Sequence, residues 1–348
     1  MALLHSSAPL LERINQAREF IESAQSIAIS GHTNPDGDCI GSGLALYHMI
    51  KHYYPNKEVQ VLTADDSPVP RTLRFLPGSE ELMYASEYAE YPDLFISVDT
   101  PKLERIKNSK EVFERSTLTI AFDHHPDFED FAHTNFGDAS KSSCTVLIAQ
   151  FAKALDFELT KEMAECIYVG LMTDTGRFQY QNTNYEGFLV AAEALKAGCD
   201  PSEMALEIYQ SCTLEYLHLE SIVSSRIETL ADGHIAFSYV RDEDFENTQA
   251  KKSDSDGLID TIRRINGADI CLLLRDNEKK NQVRGNLRSK TNYNVAQVAR
   301  QMNGGGHRVA AGFTYDGTIE EVYEKIMPLL FDLIGADKSQ MTHPFKGQ

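Results

Sequence analysis

Short apolar segments alternate with amphipathic ones along the first 125 residues. Four segments have the apolar or β-branched character of buried strands: 26–30, 58–63, 94–98 and 117–122. Three further segments place apolar residues at helical spacing: 10–24, 40–53 and 103–114. Strands that alternate with helices in this way are typical of a parallel sheet covered by helices, so the sequence predicts an α/β fold.

The pattern changes twice in the rest of the chain. From residue 143 to about residue 229 almost every segment is predicted to be helical, and the segment 213–230 is predicted to connect two domains. Strands are then predicted at 234–240, 270–274 and 281–287, among helices at 258–265, 295–302 and 320–334. We therefore expect a parallel-sheet domain over 1–212 and a smaller α/β domain over 231–340.

Acidic and histidine residues cluster where the predicted strands end. Together with one Asp at the end of a predicted helix, they are His32, Asp36, Asp38, Asp99, Asp123, His124, His125 and Asp174. Because parallel strands end at the same edge of a sheet, we expect most of these side chains to meet there. So many carboxylates repel one another in a buried site unless cations lie between them. Two divalent ions about 3.5–4 Å apart would remove that conflict, with Asp99 suited to bridge them.

The ligand types bear on the identity of the ions. Imidazole mixed with carboxylate favours a borderline ion such as Mn²⁺, with Fe²⁺, Co²⁺ or Zn²⁺ as alternatives, whereas Mg²⁺ prefers oxygen ligands alone. Taken singly, the residues also have simpler interpretations. The segment 35–37 (PDG) is a common turn sequence, and Asp174 can simply end a helix. It is the convergence of these residues on one edge that favours a metal site.

Composition narrows the class of protein. The formal net charge of −19 argues against binding of long duplex nucleic acid, but it leaves small anionic substrates open because metal ions can reverse the field inside a pocket. Six scattered cysteines without a CxxC pair indicate reduced thiols. We find neither a signal peptide nor an apolar run of membrane-spanning length, so we expect a cytoplasmic protein that does not bind membranes.

The polar motifs match those of a known family. The segments 32–38 (HTNPDGD), 98–100 (VDT), 123–125 (DHH) and 174–176 (DTG) resemble, in order, the four motifs of the DHH phosphoesterase family. The segment 304–307 (GGGH), followed by 311–313 (AGF), is similar to the signature of the DHH-associated C-terminal domain. In its compact two-domain length, the chain is most similar to one group of that family, the NrnA-type oligoribonucleases (nanoRNases) and 3′-phosphoadenosine 5′-phosphate phosphatases.

The resemblance implies a role for each residue. The metal ligands would be His32 and Asp36 for one Mn²⁺, Asp38, His124 and Asp174 for the other, and Asp99 for both. The catalytic set would be Asp99, Asp123 and His125. Of these, Asp123 would orient a ligand and His125 would face the substrate phosphate. The substrate-binding set in the second domain would be Arg288, Ser289, Gly304, Gly305, Gly306 and His307. Three successive glycines in a loop can also present backbone N–H groups to a phosphate. The active site is expected in a cleft between the two domains.

The function that the resemblance implies is a Mn²⁺-dependent phosphodiesterase and exonuclease. It would hydrolyse short single-stranded RNA and linear dinucleotides to nucleoside 5′-monophosphates, using a hydroxide activated by two metal ions. 3′-Phosphoadenosine 5′-phosphate is a second candidate substrate. The motifs leave open a cyclic dinucleotide (c-di-AMP) phosphodiesterase and a homodimer, whereas the segment 304–307 disfavours a pyrophosphatase. A non-catalytic nucleotide sensor would be expected to lack metal ligands that are present here.

Overall fold

The computed structural model describes residues 8–66, 68–277, 279, 281–342 and 344–345. The chain divides into two compact units, Met1–Ser211 and Cys212–Gln348, and each has its own apolar core. The six cysteines all lie among the described residues and are free thiols. Over the same residues, no helix combines the length and the apolar character needed to cross a bilayer.

The first unit is built on a parallel sheet of six strands. In chain order these are β1 (Ser26–Ser30), β2 (Glu58–Thr63), β3 (Leu82–Tyr84), β4 (Leu94–Val98), β5 (Leu118–Asp123) and β6 (Thr134–Gly137). Their order across the sheet is β3-β2-β1-β4-β5-β6, and every neighbouring pair is parallel. The chain thus extends from β1 first in one direction and then in the other. Ligands of such sheets bind at the carboxyl ends of the strands where this reversal occurs, here between β1 and β4.

Helices cover this sheet, and two of them lie close to the strand ends. The helices described in the first unit are α1 (Ala8–Ser23), α2 (Gly37–Tyr53), α3 (Ser109–Arg115), α4 (Cys144–Ala154), α5 (Lys161–Asp174), α6 (Tyr185–Lys196) and α7 (Pro201–Tyr209). α2 and α5 can approach closely because Gly41 has no side chain: a Cβ atom there would lie 2.5 Å from the carbonyl oxygen of Cys166. This contact brings the first turn of α2 near the last turn of α5, where Gly37 lies against Thr173.

The second unit contains a mixed sheet. Its strands are β7 (Glu228–Leu230), β8 (Ile235–Val240), β9 (Ile270–Asp276), β10 (Gln282–Ser289), β11 (Gly305–His307) and β12 (Ala310–Asp316). They lie in the order β11-β12-β10-β9-β8-β7, with β8 and β9 parallel and the other neighbours antiparallel. The helices described here are α8 (Leu214–Ser225), α9 (Asp242–Thr248), α10 (Ile259–Arg263), α11 (Val295–Gln301) and α12 (Ile319–Ile334). Separate apolar clusters cover the two faces of the sheet.

The predicted α/β class, with a parallel sheet followed by helices and a second sheet, is confirmed. The predicted helices over 103–114 and 213–230 differ most from the structure. The helix expected over 103–114 is a short 3₁₀ turn, Leu103–Ile106, followed by α3, because Lys107 adopts a φ of 36° that no helix continues. The helix expected over 213–230 ends at Ser225, and the following residues pair with β8 as strand β7.

Candidate metal centre

Successive strands of the first sheet deliver His and Asp side chains to one edge. His32 follows β1, Asp99 follows β4, and Asp123 ends β5 just before His124 and His125. Asp99 has a φ of 50°, an unusual value for a residue other than glycine, and its N–H donates to the carbonyl oxygen of Phe122 at 2.9 Å. That bond fixes the turn by which the chain leaves β4, and with it the position of the Asp99 carboxylate.

The carboxylate of Asp99 lies between two histidines. Its Oδ2 is 3.3 Å from Nε2 of His32, and its Oδ1 is 3.5 Å from Nε2 of His124. The side chain is buried, and Oδ1 has no hydrogen-bond partner among the described residues. A buried carboxylate oxygen without a donor is costly unless a cation satisfies it. Asp99 therefore has the position of a carboxylate shared by two neighbouring cation sites.

Asp99 belongs to three compact groups of possible ligand atoms; in one its neighbours are Asp123 and His125, and the other two contain further predicted metal ligands. One group consists of His32, Asp36 and Asp99, and the other of Asp38, Asp99 and His124; within each group the ligand atoms lie within 4.8 Å of one another. Such compact sets of imidazole and carboxylate donors suit a divalent transition-metal ion. Apart from Asp174, which belongs to neither group but lies 3.8 Å from Nε2 of His124, the residues that the resemblance assigns to two ions thus form two adjacent groups.

Asp36 and Asp38 owe their positions to helix termini. Asp36 is the N-cap of α2, and its Oδ1 accepts hydrogen bonds from the N–H groups of Asp38 and Cys39 at 3.0 and 3.1 Å. Asp36 is thus a helix N-cap and not part of an isolated turn, and the same oxygen also lies 3.8 Å from Nε2 of His32. Asp38 is buried and accepts from the N–H groups of Cys144 and Thr145, at 2.6 and 3.0 Å, in the first turn of α4.

His124 faces three carboxylates. Its Nε2 is 3.6 Å from Asp38 Oδ2 and 3.8 Å from Asp174 Oδ2, in addition to its contact with Asp99. Its Nδ1 donates to the carbonyl oxygen of Lys141 at 3.3 Å, which leaves Nε2 as the nitrogen directed at the carboxylates. Lys141 is not part of the sequence motifs, and only the geometry identifies its carbonyl as the group that orients His124.

Asp123 contacts His125 through both of its carboxylate oxygens. Oδ1 accepts from His125 Nδ1 and Oδ2 from the His125 N–H, each at 2.8 Å. Asp123 is fully buried, so it holds the His125 ring in one orientation. Burial opposes the charged imidazole, but the bond to Asp123 and the nearby Asp99 outweigh it and raise the pKa of His125.

The electrostatics of the cluster indicate a deficit of positive charge. Burial and the charge of Asp99 raise the pKa of Asp38 to about 7, and burial raises the pKa of Asp174 to about 8. Burial would lower the pKa of His124, yet the surrounding carboxylates raise it well above its usual range. The cluster thus favours proton binding by Asp38, Asp174 and His124. Protons here occupy the place that divalent cations would fill, so the residues fit a metal centre.

In the second unit, the predicted substrate-binding residues occupy neighbouring strands. Arg288 on β10 is paired with Ala310 on β12, and Ala310 is paired with His307 on β11. Directly paired residues of antiparallel strands project from the same face. Arg288 and His307 therefore project from one face on either side of a small residue, roughly 9–10 Å apart at the backbone. Ser289 is buried, and its hydroxyl oxygen has no hydrogen-bond partner among the described residues.

Residues 304–307 do not form the loop expected from the sequence, and their binding of a phosphate stays a prediction. Residues Gly305–His307 form edge strand β11, and the N–H of Gly304 donates to the carbonyl oxygen of Ala299 at 2.8 Å. The glycines serve close strand packing: a Cβ atom at Gly304 would lie 2.2 Å from the carbonyl oxygen of Gly312. Gly306 has a φ of 128°, which side chains disfavour. Sequence alone does not separate such a glycine-rich hairpin from a loop.

The chain is similar to known proteins along most of its length. The bifunctional oligoribonuclease and PAP phosphatase NrnA of Thermus thermophilus is 29% identical over 318 residues, covering 91% of this chain and 93% of that protein. The protein of the same name from Bacillus subtilis is 27% identical, covering 82% of this chain and 88% of that protein. The crystal structure of an exopolyphosphatase-related protein from Bacteroides fragilis superimposes with a TM-score of 0.84 at 28% identity, covering 93% of this chain and 98% of that chain.

Two family models account for most of the chain. The model of the DHH family N-terminal domain matches residues 26–171, which include β1, β4, β5 and their polar ends. The DHHA1 domain model matches residues 232–335, which include β10 and the β11–β12 hairpin. The chain belongs to the DHH family, with a DHHA1 domain following its N-terminal domain, and it is a phosphoesterase.

Proposed function

We propose that this protein is a two-metal phosphoesterase that hydrolyses short RNA oligonucleotides to nucleoside 5′-monophosphates. The observation that carries the proposal is the position of Asp99, whose two oxygens face His32 and His124 in two adjacent ligand groups. One ion would be held by His32 and Asp36, the other by Asp38, His124 and Asp174, with Asp99 shared. Mn²⁺ suits the mixture of imidazole and carboxylate.

The protein residues divide the chemical work. Bound divalent ions would supply a water activated at neutral pH and positive charge for the phosphate oxygens. His125 is held by Asp123, and its raised pKa favours the charged imidazolium, which can donate a hydrogen bond to a phosphate oxygen. Its contribution is greatest where negative charge accumulates in the transition state. Asp123 acts through His125 and not on the substrate.

The substrate proposal rests on the relatives. The proteins from Thermus thermophilus and Bacillus subtilis are both described as oligoribonucleases and PAP phosphatases, and each is similar to this chain along most of its length. Short RNA and 3′-phosphoadenosine 5′-phosphate share a nucleotide with phosphates on both sides. Arg288 and His307 would bind the phosphate or nucleotide remote from the bond that is cleaved, because guanidinium and imidazole are strong phosphate donors.

A parallel hydrolysis assay tests the proposal. The protein is incubated with Mn²⁺ or with chelator, and products are followed for pApA, pGpG, an RNA 5-mer, 3′-phosphoadenosine 5′-phosphate, c-di-AMP and inorganic polyphosphate. We expect Mn²⁺-dependent release of nucleoside 5′-monophosphates from the linear dinucleotides and the 5-mer, and slower release of phosphate from 3′-phosphoadenosine 5′-phosphate. The Asp99→Ala variant in the same assay identifies turnover by contaminating nucleases.

Other outcomes point to other functions. Faster turnover of c-di-AMP than of pApA would replace the proposal by a cyclic dinucleotide phosphodiesterase. Preference for polyphosphate would align the protein with the exopolyphosphatase-related structure from Bacteroides fragilis. Binding of nucleotides without metal-dependent turnover of any substrate would favour a nucleotide sensor and contradict the enzymatic proposal.

A further inference from the structure

Asn182 lies in the loop between α5 and α6 and contacts one of the carboxylates of the metal centre. Its Nδ2 is 3.0 Å from Oδ2 of Asp174, 3.1 Å from the Asp174 carbonyl oxygen and 2.9 Å from the carbonyl oxygen of Ser142. All three neighbours are acceptors, so they fix the orientation of the amide with its NH₂ group toward Asp174. The carboxylate is thereby held by a donor that comes from outside its own helix.

The same loop is attached to a second part of the site. The hydroxyl of Ser142, which is fully buried, donates to the carbonyl oxygen of Asn182 at 2.7 Å. Ser142 directly precedes Ser143, the N-cap of α4, and the first N–H groups of that helix hold Asp38. Asn182 thus ties Asp174 to the helix terminus that positions Asp38. Both carboxylates face Nε2 of His124.

We propose that Asn182 is a positioning residue that holds the Asp174 carboxylate for the ion shared with Asp38 and His124. The inference rests on the metal centre of the proposed function. A ligand carboxylate that is already oriented loses less freedom when the ion binds, and hydrogen-bonded partners of metal ligands commonly change metal affinity by about 10–100-fold. The ligand group of His32 and Asp36 has no contact with Asn182 among the described hydrogen bonds, so its ion should be unaffected.

The test measures Mn²⁺ binding to metal-free protein, independently of turnover. Free Mn²⁺ is quantified by electron paramagnetic resonance during a titration, which gives the number of bound ions and both dissociation constants. Asn182→Ala removes the amide, and Asn182→Gln restores an amide on a longer side chain. Two controls keep the metal ligands and their donors. Ser142→Ala removes only the bond that anchors the loop, and Asn184→Ala removes a neighbouring amide that caps α6 and contacts the Ser140 carbonyl oxygen.

We expect the wild type and Asn184→Ala to bind two ions alike, and Ser142→Ala, which loosens the loop that carries Asn182, to weaken binding less than Asn182→Ala does. Asn182→Ala should keep one affinity and weaken the other about 10–100-fold, with partial recovery in Asn182→Gln. If Asn182→Ala binds both ions as tightly as the wild type does, the inference is overturned, but the proposed function is not affected. An equal loss in Ser142→Ala or Asn184→Ala would also overturn the inference, since the effect would then come from loop anchoring. A wild type that binds no ion would defeat the proposed metal centre together with the inference.

Discussion

The two sheets present opposite chemistry where the proposed functional residues lie. Buried carboxylates and imidazoles lie together at the carboxyl edge of the first sheet, where the carboxylates repel one another and proton binding is favoured. The β10–β12–β11 face of the second sheet carries Arg288 and His307 beside small residues, with no comparable cluster of acids among the residues described there. The first arrangement is unfavourable without cations, and the second is suited to an anion. The difference supports our proposal that the first unit carries the chemistry and the second binds substrate.

The largest effect that separates the two regions is expected for Asp99→Ala. Loss of the shared carboxylate should lower kcat/KM by roughly 10³-fold or more, the scale seen when a group that stabilises transition-state charge is removed. The fold should survive, because the Asp99 side chain packs mainly against other ligands and not against the apolar core. Steady-state kinetics with Mn²⁺ and circular dichroism measure the two results.

A carboxylate at the opposite edge of the same sheet provides the matched control. Asp93 precedes β4 and accepts hydrogen bonds from the N–H groups of Gln25 and Ser26 at 2.8 and 3.1 Å. Asp93→Ala should cost stability, by about 1–3 kcal/mol for the two donors left unpaired, while kcat/KM stays at the wild-type level. Mn²⁺-dependent turnover that persists in Asp99→Ala would exclude Asp99 as the shared ligand.

The second region should respond differently. Arg288→Ala and His307→Ala each remove a proposed donor to the phosphate remote from the reacting bond, so KM should rise roughly 10–100-fold while kcat changes little. Arg308→Ala is the control, since Arg308 is adjacent in sequence but bonds to Asn292. A collapse of kcat with normal KM, or an equal rise of KM in Arg308→Ala, would contradict the division between the two regions.

The sequence predicts the first region better than the second for a physical reason. An apolar strand that ends in Asp or His is a local pattern, and β1, β4 and β5 all have it. Strand β6 and the hairpin strand β11 have no such pattern. Their conformation depends on pairing with another strand, as Gly305 pairs with Gly312 and Thr134 with Ile120, and not on a pattern of their own residues.

Supporting contacts of the metal centre show the same limit. The Lys141 carbonyl that orients His124, and the Asn182 amide that contacts Asp174, belong to loops whose sequence has no period or motif of its own. Their roles follow only from how those loops fold against the ligands. The clustering of these Asp and His residues was therefore predictable from sequence, whereas the groups that orient them were not.

A pair of glycine substitutions compares the two regions by stability. Gly41→Ala would place a Cβ atom 2.5 Å from the Cys166 carbonyl oxygen, so α2 and α5 must move apart. Overpacking of this kind costs about 1–3 kcal/mol, which outweighs the gain of up to about 1 kcal/mol from alanine in a helix. A Cβ atom at Gly305 would meet nothing within 4 Å, so Gly305→Ala should be nearly neutral. Urea unfolding measures the free energy of unfolding of both variants. Equal values would show that the contact between α2 and α5 leaves room for an additional methyl group at Gly41.

The smallest effect concerns pH and tests whether protons replace cations in the first region. The pKa values of Asp38, Asp174 and His124 are all raised above their usual ranges. Near neutral pH the folded metal-free protein therefore binds more protons than the unfolded chain. Its stability must therefore fall as pH rises from 6 to 8.5. The depressed pKa of Asp99 acts only in acid and does not oppose this trend.

Differential scanning calorimetry of the chelated protein should show a declining Tm over this range. With saturating Mn²⁺ the decline should disappear or reverse, because ions replace the protons that are lost. A Tm of the chelated protein that increases with pH would mean that these side chains are not the charge-deficient cluster that the geometry indicates.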